Sequence, residues 1–336
     1  MILPETELAA YLEANVAGFR GPLAATKFKG GQSNPTYLVE AASGKYVLRR
    51  KPPGKLLPSA HAVDREFRVL QALHGGPVPV ARPLHLCTDE SVIGSVFYLM
   101  EFVPGLVHWD PSLPGMSPEQ RAAHYEAIIA TLAALHSLDP AAIGLADYGK
   151  PGNYFERQVH RWSEQYRASE TRPIAAMDAL IERLPARCPA DDGRVALVHG
   201  DFRIDNLMFA ADAPRVLAVV DWELSTLGHP LADLGYFCMA LRLPRNPALP
   251  GLAGLDREAL GIPSEAALLA RYTELSGQPA PADWPFVLAF SFFRLAAIAQ
   301  GVAKRAEQGN ASSDQAAQAG QMTALLAQLG ASALDG

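Results

Sequence analysis

Two short segments restrict this chain of 336 residues more than any other part of it. Residues 198–206 read Val-His-Gly-Asp-Phe-Arg-Ile-Asp-Asn, and residues 219–223 read Val-Val-Asp-Trp-Glu. The carboxylate of Asp201 stands five residues before the amide of Asn206, and the carboxylate of Asp221 stands 15 residues beyond that amide. Each segment opens on a short apolar run, residues 196–199 and 216–220, which reads as an extended piece bounded by turn signals. The fold must therefore carry a carboxylate, an amide and a second carboxylate at the ends of short strands.

The surrounding chain changes texture once. In the first third, residues 5–19 read as an amphipathic helix with Leu8, Tyr11, Leu12 and Val16 on one side. Extended runs follow at 24–28, 36–40 and 46–50, with Gly30-Gly31 and Ser43-Gly44 as turns between them. Ser59 is an expected N-cap for a helix reaching Leu73 that carries Glu66, and two more strands are expected at 81–87 and 95–102. Beyond Val103-Pro104-Gly105 the pattern turns helical: 117–137, 153–168, 174–184, 282–307 and 313–329. The expected fold class is α+β in two lobes, residues 1–102 β-rich with one helix and residues 103–336 mainly helical. The length suits two cores better than one.

Composition narrows the function classes. Apolar residues make up 49% and charged residues 19%, the balance of a folded chain rather than a disordered one. A net charge of −6 supplies no basic footprint for phosphate backbones, so no nucleic-acid partner is expected. Three cysteines, Cys87, Cys188 and Cys238, lack metal-ligand spacing, and their odd count fits a reducing cytoplasm. The first residues lack the pattern of a secretory signal, and no apolar run of about 18 residues is apparent, so no membrane association is expected.

Phosphoryl transfer from Mg-ATP needs one carboxylate to take the proton of the attacking hydroxyl, with an amide and another carboxylate for the metal. His199-Gly200-Asp201 and Asn206, followed by Asp221 after an apolar run, resemble the aminoglycoside phosphotransferase family, relatives of protein kinases. Within it, His-Gly-Asp-Phe-Arg-x-Asp-Asn with Asp-Trp-Glu is most similar to the kinase domains of acyl-CoA dehydrogenase family members 10 and 11. The resemblance implies a bilobal protein-kinase-like fold, with an antiparallel N-lobe binding nucleotide and a helical C-lobe holding the catalytic and substrate groups. It implies ATP and Mg²⁺ as cofactors. Asp201 would accept the hydroxyl proton, Arg203 would clamp the γ-phosphate, and Asn206 and Asp221 would hold Mg²⁺. Glu223 would reach a second metal or water, or else cap or ion-pair. Asp233, in Pro-Leu-Ala-Asp-Leu-Gly, would buttress the catalytic loop.

The same resemblance assigns the nucleotide side. Arg49, in the place of the usual strand lysine, or its neighbour Arg50, would reach the phosphates, with Glu66 as ion-pair partner and Val47 covering adenine on the same strand face. Gly31, Ser33 and Asn34 fall in the slot of the phosphate-covering loop. Glu101 would offer its carbonyl to adenine and Val103 its N–H. No GxxxxGK[ST] loop is present, and Gly200 replaces the arginine of regulated protein kinases, which favours a small-molecule kinase.

The acceptor is expected to be a small hydroxyl compound. Residues 290–301, aromatic-rich with the single Arg294, are either a substrate wall suited to an apolar molecule with an anionic group or a core helix with a snorkelling arginine. The favoured acceptor is a 4-hydroxy acid or its CoA thioester. Choline-, ethanolamine- or homoserine-type and aminoglycoside kinases, and a nucleotide-binding partner of an acyl-CoA dehydrogenase without catalysis, stand as alternatives.

Overall fold

The computed structural model describes residues 3–28, 34–52, 62–246, 249–307 and 315–336, without the side chains of 306–307 and 315–320. In chain order, α1 (Glu5–Asn15) precedes β1 (Leu23–Lys27), β2 (Thr36–Ala41) and β3 (Gly44–Arg50). Next come α2 (Val63–Leu73), β4 (Pro83–Cys87), β5 (Phe97–Glu101) and the two-residue β6 (Leu106–Val107). Three helices follow, α3 (Pro118–His136), α4 (Tyr154–Ser169) and α5 (Ala175–Arg187). The motifs lie among β7 (Ala196–Val198), β8 (Leu207–Phe209), β9 (Val216–Val219) and β10 (Thr226–Gly228). After them come α6 (Leu231–Cys238), α7 (Glu265–Ser276), α8 (Trp284–Glu307) and α9 (Gln315–Asp335).

The described chain separates into two compact units. The first comprises Met1–Leu106, Ile143–Leu145 and Leu207–Ser225. Its sheet is antiparallel, in the order β1-β2-β3-β5-β4. Strand alternation sorts β3: Leu48 joins Leu8, Leu12, Phe19, Val39, Phe97 and Leu99 in one core, which leaves Val47 and Arg49 to the opposite face. On α2 the apolar stripe Val63, Phe67 and Leu70 is buried, and Glu66 is buried with it. The sequence places the division at 102/103 and everything beyond it in the helical lobe; here it falls after Leu106, and residues 207–225 belong to the sheet unit. The reason is hydrogen bonding. β8 and β9 pair as a hairpin, and the Val219 N–H, at the end of β9, donates to the Pro79 carbonyl at 2.8 Å.

The second unit comprises Val107–Ala142, Ala146–Asn206 and Thr226–Gly336. α8 is its core helix, with Phe286, Val287, Leu288, Ala289, Phe290, Phe292 and Phe293 all buried. Phe155 of α4 meets Phe286 and Phe290 edge-on, with ring centroids 5.3 and 5.2 Å away. Burial on nearly all sides explains a feature the sequence reading passed over. Residues Trp284–Arg305 are long and apolar enough to cross a membrane by length and composition, and 78% of that window is buried inside the protein. Gly235 of α6 sets how closely α6 meets α8, since a Cβ there would lie 2.5 Å from Val287 Cγ1 and 2.9 Å from Ser291 Oγ. α3 starts on a capping box: Ser117 Oγ accepts from the Gln120 N–H, and the Gln120 side chain accepts from the Ser117 N–H.

Candidate active site

In the second unit, β7 ends at Val198 and the chain turns through His199 and Gly200. Gly200 has φ +83°, a left-handed value that costs glycine nothing and other residues strain. The turn is fixed from below by Asp233, on the first turn of α6. Its fully buried carboxylate accepts the His199 N–H at 2.6 Å and the Gly200 N–H at 2.8 Å, and contacts His136 Nε2 at 3.3 Å. His136 Nδ1 in turn lies 2.7 Å from the Tyr272 hydroxyl. Burial would raise the pKa of Asp233, but its bond with His136 and the Gly200 N–H it accepts together hold that pKa below the usual carboxylate range.

Asp201 is thereby placed at a fixed point on a rigid turn. Its N–H donates to His199 Nδ1 at 3.2 Å, so the buried imidazole supports the loop. Asn206, in the 3-10 turn Ile204–Asn206, donates from Nδ2 to the Asp201 carbonyl at 2.8 Å and to Asp201 Oδ2 at 3.0 Å. One carboxylate oxygen is thus held, while Oδ1 faces Arg203 Nε at 4.0 Å. Arg203 is paired rather than free. Its Nε donates to Asp205 Oδ1 at 3.0 Å and its Nη2 to Asp205 Oδ2, a fork-on-carboxylate geometry. Burial, together with the negative charge of Asp201, pushes the Tyr236 phenol well above its ordinary pKa.

In the first unit, three carboxylates converge on one guanidinium. Arg49 Nε lies 2.9 Å from Glu66 Oε2, off the N–H axis, so this contact is an ion pair. Arg49 Nη2 donates to Asp221 Oδ1 at 2.5 Å and lies 3.6 Å from Glu223 Oε2. Of the two adjacent arginines, Arg49 makes these contacts, and Arg50 is buried with its Nε donating to the Lys51 carbonyl. Burial opposes the charge of Arg49, but Glu66 and Asp221 outweigh it and raise its pKa. Glu66 also accepts from Asn34 Nδ2 at 2.7 Å and from the Tyr98 hydroxyl at 3.2 Å. Burial pushes the Glu66 carboxyl up to about 7; Arg49 and Asn34 pull it down, and Asp221 and Glu223 add to the rise. A raised acid works against folding at high pH: this contribution is present below the unfolded value and is lost as pH climbs towards 7.

Asp221 has φ +66°, a left-handed conformation that costs a non-glycine residue strain and persists only where its surroundings hold it. Glu223 stands 3.5 Å from Asn34 Nδ2 as well as near Arg49, so in this structure it is an ion-pairing carboxylate. Arg49→Lys is expected to lower the unfolding free energy by about 1–3 kcal/mol, because a point charge cannot serve Glu66 and Asp221 together. Urea titration checks this, and an unchanged midpoint would show that the guanidinium fork is dispensable.

Val47 is 9% exposed and pairs with Met100 across β3 and β5. Glu101 ends β5, with its N–H on the Arg82 carbonyl at 3.0 Å and its Oε1 accepting the Arg82 N–H at 2.9 Å. The Val103 carbonyl accepts the Gly105 N–H, and among the described residues no hydrogen bond uses the Val103 N–H. Gly31 and Ser33 lie outside the described residues. Among the described residues no group of three or more His, Cys, Asp and Glu is arranged to hold a metal ion by itself. Asn206 and Asp221 carry hard oxygen donors, the kind Mg²⁺ takes. Sequence reasoning did not find Asp205, His136 or Tyr236 as partners of the site. Asp205 alone had a local signal, since it stands two residues from Arg203.

The model of the phosphotransferase enzyme family matches residues 24–284. Acyl-CoA dehydrogenase family member 10 of Mus musculus is 48% identical over 331 residues, covering 98% of this chain and 31% of that protein. Acyl-CoA dehydrogenase family member 11 of Rattus norvegicus is 46% identical over 312 residues, covering 91% of this chain and 40% of that protein. The chain thus spans 31–40% of the length of these relatives. A crystal structure from Ralstonia eutropha JMP134, provisionally described as an aminoglycoside phosphotransferase, is 50% identical with a TM-score of 0.90, covering 99% of this chain and 98% of that one. The chain belongs to the phosphotransferase enzyme family, with the bilobal α+β kinase-like fold, and it is a small-molecule kinase that places phosphate on a hydroxyl group.

Proposed function

We propose that the chain transfers the γ-phosphate of ATP, with Mg²⁺, to the hydroxyl of a small hydroxy acid or hydroxyacyl compound. The observation that carries this reading is Asp201, whose Oδ2 accepts from Asn206 Nδ2 at 3.0 Å and whose Oδ1 lies 4.0 Å from Arg203 Nε. In this reading Asp201 orients the acceptor hydroxyl and takes its proton late, as a loose transition state allows. Asn206 and Asp221 are the oxygen ligands for Mg²⁺, which supplies charge neutralisation at the phosphates. Glu223 adds negative charge beside Asp221. Arg203 turns from Asp205 towards transferred phosphate, and Arg49 faces the remaining phosphate oxygens. Val47 covers the adenine, the Glu101 carbonyl and the Val103 N–H read its edge, and Asn34 serves the phosphate side. The acceptor class and a working link with an acyl-CoA dehydrogenase rest on the relatives' names.

The test is ATP consumption against hydroxy acids, hydroxyacyl-CoAs, amino alcohols and aminoglycosides, each with and without Mg²⁺. The reading expects Mg²⁺-dependent turnover with the hydroxy acid or hydroxyacyl group. Turnover confined to amino alcohols or aminoglycosides would overturn the acceptor class. Binding of ATP with no turnover on any acceptor would favour a scaffold role.

A further inference from the structure

The catalytic turn alternates in burial as a strand does. Phe202 and Ile204 are buried, while Asp201, Arg203 and Asp205 are half-buried. Two carboxylates and one guanidinium therefore share one side of a single short loop. The Asn206 N–H donates to the Arg203 carbonyl at 3.0 Å and closes the 3-10 turn, which fixes the spacing of the three charges.

Arg203 thus stands between two carboxylates and takes one of them. Its Nε and Nη2 form a fork on the two oxygens of Asp205, while its Nε stands 4.0 Å from Asp201 Oδ1. Burial disfavours the charge of Arg203, but Asp201 and Asp205 outweigh it, so both act on the same guanidinium. Among the described residues no other carboxylate pairs with it. The choice has a chemical consequence. A fork on Asp201 would occupy the carboxylate that is to take the hydroxyl proton. Such a charge-assisted pair is strong, and a neutral hydroxyl would have to displace it.

We propose that Asp205 is a positioning residue: by holding the Arg203 guanidinium in a fork, it keeps that charge off the Asp201 carboxylate. The catalytic meaning rests on Asp201 as the proton acceptor; the placement of the guanidinium does not. Asp205 touches neither nucleotide nor acceptor and acts through Arg203 alone. Arriving phosphate draws Arg203 from Asp205, and Asp201 is unblocked throughout.

The experiment compares wild type, Asp205→Asn, Arg203→Met and the double variant as full chains. Each is crystallised without ligands and assayed with Mg-ATP and the acceptor of highest turnover in the panel above. In Asp205→Asn the neutral amide competes poorly, and the Arg203 guanidinium should move to within hydrogen-bond distance of Asp201. Its kcat should fall by about 10–100-fold, the weight of a charge-assisted hydrogen bond, with KM for Mg-ATP within about threefold of wild type. A merely loosened turn would move KM and kcat together. In the Arg203→Met background, Asp205→Asn should change kcat by less than about twofold, since no guanidinium remains to be held.

A guanidinium that stays off Asp201 in Asp205→Asn overturns the proposal, as do independent losses of kcat from the two substitutions. Failure of Asp205→Asn to fold overturns it too. If the double variant folds, the guanidinium found no second carboxylate; if it does not, Asp205 belongs to the fold itself. A guanidinium moved onto Asp201 in a chain that phosphorylates no acceptor would sink the phosphotransferase reading and leave the holding role standing. Full turnover in Asp205→Asn beside an inactive Asp201→Asn would do the reverse.

Discussion

Asp201→Asn is expected to lower kcat on the best acceptor by roughly 10²–10⁴-fold, the range over which a positioned proton acceptor contributes. The fold should survive the change. The contacts that fix the turn run through main-chain atoms, the Asp201 N–H to His199 and the Asp201 carbonyl from Asn206, and an asparagine keeps both. The isosteric amide can still offer its oxygen to Asn206 Nδ2, but it cannot take a proton. KM for ATP should move little, since the contacts assigned to adenine lie on β3 and after β5. Steady-state kinetics with a melting curve separates the outcomes. A kcat within a few fold of wild type would remove Asp201 from the proton transfer.

Asp233→Ala should have the largest effect on stability, a loss of about 3–5 kcal/mol in unfolding free energy. The carboxylate has no exposed surface, and its removal strands the N–H groups of His199 and Gly200 and leaves His136 without a charged partner. The damage is aimed at the catalytic turn, so activity should fall with stability. The pH dependence has a definite sign. Because the folded pKa of Asp233 is depressed, its contribution is in place above the unfolded carboxylate value of about 3.9 and is lost as pH falls through the lower folded value. Denaturant titrations at several acidic pH values should therefore show a steeper acid loss in wild type than in the variant. Parallel acid limbs, or a loss under about 1 kcal/mol, would show that the turn is held by something else.

The legible part of this protein was the part written in local spacing. Asp201, Asn206 and Asp221 sit at fixed intervals beside short apolar strands, and Asp233 stands at the start of a helix two residues after Leu231. Strand alternation on β3 separated Val47 and Arg49 from Leu48 without any knowledge of packing. What stayed hidden depends on contacts distant in sequence. The sheet unit claims residues 207–225 because three-residue strands form only where partners already stand. The pairing of Arg203 with Asp205, and of Glu223 with Arg49 and Asn34, reflects a competition among charges that a linear pattern does not rank. Arg294 is the sharpest case. A core helix and a substrate wall share one apolar composition, and only the folded unit shows Arg294 buried beside the rings of Trp162 and Tyr236.

The central claim is that this chain moves phosphate onto a hydroxyl group with Asp201 as the proton acceptor. Phosphorus NMR of the full chain with Mg-ATP and a hydroxy acid tests it most directly, run in parallel with Asp201→Asn. The account predicts a phosphomonoester signal on the acceptor that grows in step with ADP in wild type and is nearly absent in the variant. ADP formed with inorganic phosphate alone, or an equal phosphomonoester signal from Asp201→Asn, would contradict it.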